Sequence, residues 1–416
     1  MCSFIPYSWP SQHICTRVSE SPITIRGGKE KQIRTTSPVI NEMYGLGAGE
    51  SLFAYDGISI ENIRRAVDVF VDEGSRNKVR FKSVVCEDDP IEALEYTNHK
   101  LENTAVRTDE QEDHYSVQVR KVIERDDLED GRRVVESSFA FFQIGDTNIW
   151  TAVTGQSPDQ FEHGPLWVLK KSEPKISNFF ASSNDLRSVL HRFKDSFPSG
   201  ADVIAKKTVA YSRDDEGQIS WETRPFDTIF EMAKEEDNYI DKIRFVVDSN
   251  DEERVEAFIS RRGKLQFHGG DASRFFEDLL PVFADVGQQK ANLFGNQERS
   301  EETGEVNEIE ISFEKSHFKN PPDNRKLIKA LDELSNSSIT VYHNNPYAHV
   351  SVFDNVDGSS CDVFITGPKR VSIVPSYRDS FNSLMRVAEQ ISRELEEGKI
   401  LENPQEDYRM GDFFSA

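Results

Sequence analysis

The sequence predicts an α+β protein in which antiparallel sheets pack against helices. Alternating apolar and polar segments, typical of half-buried strands, follow one another across short turns that contain Gly or acidic residues. Between them lie segments with apolar residues at helical spacing. In the C-terminal half, the order helix, strands, tight hairpin, helix occurs twice. This repetition predicts tandem modules of similar plan, although few residues are identical between them.

Among the predicted elements of the first structured region are two capped helices with a three-stranded meander between them. Apolar spacing predicts the first helix over Ser59–Glu73, with Ser59 as its cap. Ser183 or Asn184 is predicted to cap the second helix. The predicted meander strands are Tyr115–Glu124, Arg133–Ile144 and Ile149–Thr154.

In the second half, turn residues define the elements most clearly. Arg261-Arg262-Gly263 is predicted to connect two strands, and Asp271 to cap the next helix, which Pro281 should bend or end. Residues 286–307 are polar and predict a linker or long loop. The closing helix has the cleanest apolar stripe of the chain. Its members are Phe381, Leu384, Met385, Ala388, Ile391 and Leu395.

The length of 416 residues suggests more than one domain. Because Met43 opens the first ordered segment, we hypothesise that translation starts there. The predicted regions are a disordered leader (1–42), an N-terminal α+β domain (43–200), a central α+β module (201–290), a linker (291–305), a C-terminal α+β module (306–397) and an acidic tail (398–416).

The charge balance is strongly acidic, with 73 Asp and Glu against 50 Lys and Arg, and a net charge of -23. Such a charge repels phosphate and anionic lipid at long range, and the chain has no long basic run for counterion release. Nucleic acid and membrane are therefore unlikely partners. One hypothesis is that the protein is salt-adapted, because counterions would screen the repulsion among its own acidic side chains.

The four cysteines are widely scattered and form no Cys-x-x-Cys pair, which fits free thiols in a reducing compartment. We found neither a secretory signal nor an apolar stretch of membrane-helix length, so we expect a cytoplasmic protein. The dinucleotide fingerprint, the kinase motifs and the His-Glu-x-x-His motif are lacking, so we expect no cofactor.

Two histidines flank a predicted turn in His343-Asn344-Asn345-Pro346-Tyr347-Ala348-His349. A two-residue loop would pair His343 with Ala348 and put the histidines on opposite faces, whereas a three-residue loop would pair His343 with Tyr347 and put them on one face. Only the second register could build a metal or acid–base pair, with Asp354 approaching from a neighbouring strand. These three residues are the candidates for catalysis.

Two predicted hairpin tips carry basic residues, which could form one small positive edge if the modules stack side by side. The edge residues are Arg261, Arg262, Lys264, Lys369 and Arg370. Such an edge could contact an acidic partner or a phosphate group. Solvated turns are the alternative interpretation, because exposed Lys and Arg are common.

The sequence favours a non-enzymatic interaction or regulatory protein with a protein partner, because it holds tandem modules and no complete catalytic motif. The first alternative is a metal-dependent hydrolase centred on His343 and His349. The second is nucleic-acid contact through the basic hairpin tips.

Overall fold

A computed structural model describes most of the chain between residues 59 and 402. The predictions about the leader (1–42) and most of the predicted linker and tail lie outside the described residues. The described ranges are 59–72, 78–100, 103–125, 131–198, 200–214, 217–249, 252–295, 307–320 and 323–402.

Both predicted features of the fold class, antiparallel sheets and packed helices, are confirmed. The larger sheet contains eleven strands, and every described pairing in it is antiparallel. Its strands are β1 (Val79–Cys86), β2 (Thr104–Glu110), β3 (Tyr115–Glu124), β4 (Arg132–Gln143), β5 (Ile149–Thr154), β6 (Ile176–Ser177), β7 (Asp202–Ser212), β8 (Gln218–Pro225), β9 (Asn238–Ser249), β10 (Glu252–Ser260) and β11 (Lys264–Gly270).

The strand order of the larger sheet is β2-β3-β4-β5-β1-β11-β10-β9-β7-β8, with β6 beside β1. Strand β1 therefore connects two groups of locally paired strands through two long-range pairings, one with β5 and one with β11. In the pairing with β11, Phe81 lies opposite Leu265. Strand β1 is buried along its whole length because it lies in the middle of the sheet.

A second sheet of six antiparallel strands follows, in the order β13-β14-β15-β16-β12-β17. Strands β13 to β16 form a meander of sequential hairpins, and β12 inserts between β16 and the last strand. The strands are β12 (Ile309–Ser312), β13 (Ser337–His343), β14 (His349–Asp354), β15 (Ser360–Gly367), β16 (Arg370–Pro375) and β17 (Lys399–Glu402).

Helices bury their apolar stripes against the two sheets. They are α1 (Ile60–Asp72), α2 (Pro90–Lys100), α3 (Pro158–Phe161), α4 (Trp167–Lys171), α5 (Ser183–Asp195), α6 (Phe226–Glu235), α7 (Ala272–Arg274), α8 (Leu280–Gly295), α9 (Asn324–Asp332) and α10 (Phe381–Glu394). Single π-helical turns join α3 to α4 (Glu162–Leu166) and α7 to α8 (Phe275–Leu279). Helix α10 contacts α8 as well as β15 and β16, so it bridges the larger sheet's helices and the second sheet.

The turn between β10 and β11 fits closely against β1. Gly263 has a φ of +71°, and a Cβ atom there would lie 2.5 Å from the carbonyl oxygen of Ser83, so only glycine fits. The amide of Ser83 donates to the carbonyl oxygen of Gly263 over 2.8 Å. The predicted turn at Arg261-Arg262-Gly263 is therefore confirmed, and its position is fixed by contact with a strand remote in sequence.

Several local predictions are confirmed and others need correction. Asp271 caps α7, accepting hydrogen bonds from the amides of Ser273 and Arg274. The cap of α5 is Ser182 rather than Ser183 or Asn184, because its hydroxyl accepts from the amide of Asp185 while the Asp185 carboxylate accepts from the Ser182 amide.

The helix after Asp271 does not end at Pro281. Helix α8 continues to Gly295, into residues that were predicted to be a polar linker. Proline is tolerated here because it lies in the first turn of α8, directly after the π-helical turn. Residues 399–402, predicted to be part of an acidic tail, form β17 and pair with β12.

All described residues belong to one unit that spans residues 46–416. The larger sheet runs continuously across residue 200, where a domain boundary was predicted. Whether the predicted regions fold independently stays a prediction.

Gly287 of α8 offers a test of close packing between this helix and the larger sheet. A Cβ atom there would lie 2.7 Å from Cδ1 of Ile149 and 2.9 Å from Cε1 of Phe179. Gly287→Ala should therefore lower the free energy of unfolding by about 1–3 kcal/mol, although alanine favours helix. Urea unfolding measures this. Gln289→Ala, at an exposed position of the same helix, should change stability by less than about 0.5 kcal/mol.

Candidate functional site

The two candidate histidines lie opposite each other on β13 and β14. The pairing is His343 with His349, across a bulge at residues 341–343, so neither predicted register occurs. His343 is exposed. The ring of His349 stacks on Phe364 with centroids 4.2 Å apart, and its Nε2 lies 3.4 Å from Oδ1 of Asp362. His349 is thus held mainly by aromatic contacts.

The third candidate, Asp354, is not brought to the histidines. It lies at the other end of β14, on the buried face, and is 1% exposed. Its carboxylate forms an ion pair with Arg386 and accepts a hydrogen bond of 2.8 Å from the amide of Val356. These contacts fix helix α10 to the end of the strand, which is a structural role.

Potential metal ligands and thiols form no further site in the part of the chain that the structure describes. No group of three or more His, Cys, Asp or Glu side chains there could hold a metal ion. Burial raises the pKa of Cys86 to about 12 and also raises the pKa of Cys361, so both thiols stay protonated.

The five residues of the predicted basic edge have separate partners. Arg261 and Arg262 approach helix α10 and its C-terminal end, where they pair with Glu397 and Glu389. The other three have different neighbours. Lys264 Nζ lies 3.7 Å from the Glu162 carboxylate, and Arg370 Nε lies 3.6 Å from the Glu310 carboxylate. Lys369 Nζ donates to the carbonyl oxygen of Glu314 over 2.7 Å.

Arg261 and Arg262 instead line a cleft of about 490 Å³ between the larger sheet and helix α10. Strands β7 and β9 and the β10–β11 turn form one wall, and α10 forms the other. The lining residues are Tyr211, Ser212, Arg213, Tyr239, Asp241, Arg261, Arg262, Glu389, Arg393 and Glu394. We call this the arginine cleft.

Arg261 is the most deeply buried charge of the cleft, with 2% of its side chain exposed. Its guanidinium lies between two aromatic rings, with the central carbon 5.1 Å from the Phe180 centroid and 5.0 Å from the Tyr239 centroid. Its backbone amide donates to the carbonyl oxygen of Asp241, and its carbonyl oxygen accepts from the amide of Ala181, both over 2.7 Å. Backbone and side chain together therefore hold the guanidinium in place.

Two of the three guanidinium nitrogens of Arg261 lack a hydrogen-bond partner among the described residues. Nη1 donates to Glu397, whereas Nε and Nη2 have no acceptor. Nε is 3.8 Å from the Glu389 carboxylate, beyond hydrogen-bond distance. A buried charged donor without an acceptor is costly, so these two nitrogens are the least satisfied polar atoms of the Arg261 side chain.

Arg213 adds a second buried guanidinium on the same wall. Only 7% of its side chain is exposed, and its Nη1 donates to the carbonyl oxygen and the carboxylate of Asp237, each over 3.1 Å. Its Nε has no acceptor among the described residues. The Arg213 guanidinium also lies 5.5 Å from the Tyr239 ring, which itself stacks on Tyr211.

Carboxylates on helix α10 offset part of this positive charge. Glu389 accepts from Nε of Arg262 over 2.7 Å, and Glu394 accepts from Nε of Arg393 over 2.9 Å. The lining holds four arginines against three carboxylates, and two further carboxylates, Glu397 and Asp237, pair with Arg261 and Arg213. The cleft is therefore rich in arginine, and neighbouring carboxylates balance its positive charge.

A buried lysine supports the turn that carries Arg261 and Arg262. Lys82 of β1 donates to the carbonyl oxygen of Arg262 over 2.6 Å and is 5% exposed. Burial, with the positive charges of Lys264 and Arg262 nearby, lowers the pKa of Lys82 to about 7. Burial likewise raises the pKa of Tyr239, so its phenol stays neutral in the cleft.

The arginines of the cleft are suited to recognition of charge, because arginine does not exchange protons near neutral pH. The described lining also contains the hydroxyl of Ser212 and the carboxylates of Asp241, Glu389 and Glu394, which are groups of the kinds that act as nucleophile or general base. Rigid guanidinium groups at fixed positions favour the binding of a planar or tetrahedral anion.

Sequence reasoning found Arg261 and Arg262 but missed Tyr211, Arg213, Tyr239 and Arg393. Tyr211 and Arg213 directly precede an acidic turn, and Arg393 lies on the polar side of the last helix. Nothing local marks these positions as neighbours. The one sequence signal that could have suggested them is that basic and aromatic residues lie near predicted strand ends.

Comparison with known proteins gives no family. No protein-family model matches the chain, and no curated protein is significantly similar to it. Among the described residues, no helix is both long enough and apolar enough to span a membrane.

The lowered pKa of Lys82 predicts a pH dependence of stability. Between pH 7 and 10.5 the unfolded chain binds a proton that the folded chain has released, so this residue's contribution to the free energy of unfolding rises with pH in that window. Lys82→Met removes the effect. Between pH 7 and pH 9, the free energy of unfolding of wild type should therefore rise by about 2 kcal/mol more than that of the variant.

Urea unfolding at the two pH values measures this difference. Lys329→Met is the control, because the Lys329 side chain is 72% exposed. It should change the free energy of unfolding by the same small amount at both pH values. An equal effect of Lys82→Met at pH 7 and pH 9 would contradict the assignment.

Proposed function

We propose that this chain is a non-enzymatic regulatory or interaction protein that binds an anionic ligand in the arginine cleft. The observation that carries the proposal is the buried Arg261 guanidinium, whose Nε and Nη2 have no acceptor among the described residues. Native proteins rarely leave a buried charged donor without a partner, and an anionic ligand would supply one here.

The composition of the cleft favours a ligand that bears a phosphate or carboxylate group. Guanidinium groups bind both groups through pairs of parallel hydrogen bonds. A volume of about 490 Å³ is much larger than a bare anion and lies in the range of small-molecule sites. The stacked rings of Tyr211 and Tyr239 offer an apolar wall to the rest of such a ligand.

A regulatory role follows from where the cleft lies. One wall comes from residues 211–262, within the predicted central module, and the other from residues 389–394, within the predicted C-terminal module. If these are tandem helix–strand–hairpin–helix modules, a ligand would contact both. An anion bound to Arg262 would compete with Glu389 for the same guanidinium and so alter a contact between the two walls.

The two alternative functions have less support. The hydrolase hypothesis needs His343, His349 and Asp354 in one site, but Asp354 lies on the other face of β14 and is paired with Arg386. The nucleic-acid hypothesis needs a shared basic edge, whereas Arg261 and Arg262 face helix α10. Both stay hypotheses.

Isothermal titration calorimetry with inorganic pyrophosphate and with citrate tests the proposal. At low salt the wild-type protein should bind at least one of them. Arg393→Gln and Arg262→Gln should each weaken that binding about tenfold, which corresponds to about 1.4 kcal/mol. These two side chains are 32% and 58% exposed, so their loss should leave the fold intact.

Arg107→Gln is the matched control, because Arg107 is 64% exposed, pairs with Asp109 and lies outside the cleft. It should leave affinity unchanged. The proposal fails if neither anion binds wild type, or if the two cleft variants bind as tightly as the control while their circular dichroism remains native.

A further inference from the structure

The outer edge of the second sheet is an uncharged strand. Strand β13 (Ser337–His343) pairs with β14, and no other described strand pairs with it. Residues 335–353, which contain the whole β13–β14 hairpin up to Phe353, include no Asp, Glu, Lys or Arg, although charged residues make up 30% of the chain. Helix α9 packs against part of β13, but residues 340–343 are all exposed.

The other three sheet edges are different. The outermost strands of the larger sheet are β2, which contains Arg107 and Asp109, and β8, which contains Glu222 and Arg224. The far edge of the second sheet, β17, has a charged residue at each end. Charged side chains on an edge strand oppose pairing with another chain. Among the edge strands β2, β8, β13 and β17, only β13 lacks this protection.

Exposed apolar side chains are concentrated at the same edge. Seven large apolar residues are exposed among the described residues, and five of them lie between Val341 and Val356. Tyr342 is 65% exposed, Phe353 47% and Val341 39%. Clustered exposed apolar residues typically mark an interaction surface.

We propose that β13 pairs with β13 of a second copy of this chain, which joins the two six-stranded sheets into one. An antiparallel pairing centred on Thr340 places Thr340 opposite its own copy and Ile339 opposite Val341. The strand is then self-complementary, as a twofold interface requires. Its β-branched and aromatic residues favour such a pairing.

A second copy of this chain carries the same uncharged strand, so this pairing places no like charges opposite each other. Each molecule carries a net charge of -23, so two copies repel each other across most of their surfaces. An uncharged strip is where two such molecules meet with least repulsion. Because salt screens the remaining repulsion, the dimer should become tighter as salt increases. This inference is independent of the ligand proposed for the arginine cleft.

A charge exchange at Thr340 tests the pairing. Thr340→Lys alone and Thr340→Glu alone each place like charges directly opposite in the dimer, so each should weaken dimerisation at least tenfold. An equimolar mixture of the two variants should form a heterodimer. Sedimentation velocity over a range of protein and salt concentrations measures all three samples and the wild type. Circular dichroism confirms that each variant is folded.

Ser220→Lys is the control, because Ser220 is exposed on the charged edge strand β8. It should leave the wild-type dimer unchanged. The proposal is overturned if wild type stays monomeric, or if folded Thr340→Lys dimerises like wild type.

Discussion

The buried guanidinium of Arg261 is the interaction on which the arrangement of the two sheets depends. Moving such a charge out of water is unfavourable by several kcal/mol, and its attraction to Glu397 offsets this only in part. Two aromatic rings and two backbone hydrogen bonds complete its surroundings. The same residue thus connects the larger sheet, the segment at Phe180 and the C-terminal end of helix α10.

Glu397 extends this connection further. One of its oxygens pairs with Arg261, and the other accepts a hydrogen bond of 3.0 Å from the amide of Ser183 at the start of α5. The hydroxyl of Ser183 in turn accepts from the amide of Ile240 on β9. A linked polar network in the interior favours one relative position of the helices, because any other position leaves a buried group unpaired.

The surface has two regions that depart from its acidic average, and they suggest two separate roles. The arginine cleft presents four guanidinium groups, which suits a small anion. The β13 edge is uncharged and exposed, which suits strand pairing. Long-range repulsion disfavours unspecific association everywhere else, so these regions stand out as the places where contact is least opposed.

The sequence by itself determined the local elements. Helical stripes such as that of α10, the tight turn at Gly263 and the cap at Asp271 depend on neighbours within a few residues, so periodicity and turn chemistry were sufficient to predict them. Predictions that depended on a single residue's position were less accurate. The cap of α5 is Ser182, one or two residues before the predicted Ser183 or Asn184, and the β13–β14 hairpin has a longer connection and a bulge that no turn rule anticipated.

Only the tertiary structure decided the rest. The pairing of Phe81 with Leu265 joins residues far apart in sequence, and many other pairings satisfy the same alternation. The arginine cleft gathers residues from Tyr211 to Glu394, which become neighbours only after α10 packs against the larger sheet. The physical reason is that hydrophobic burial is non-directional. It determines which faces of the helices and strands are buried, whereas long-range hydrogen bonds and buried charges determine which elements pack against those faces.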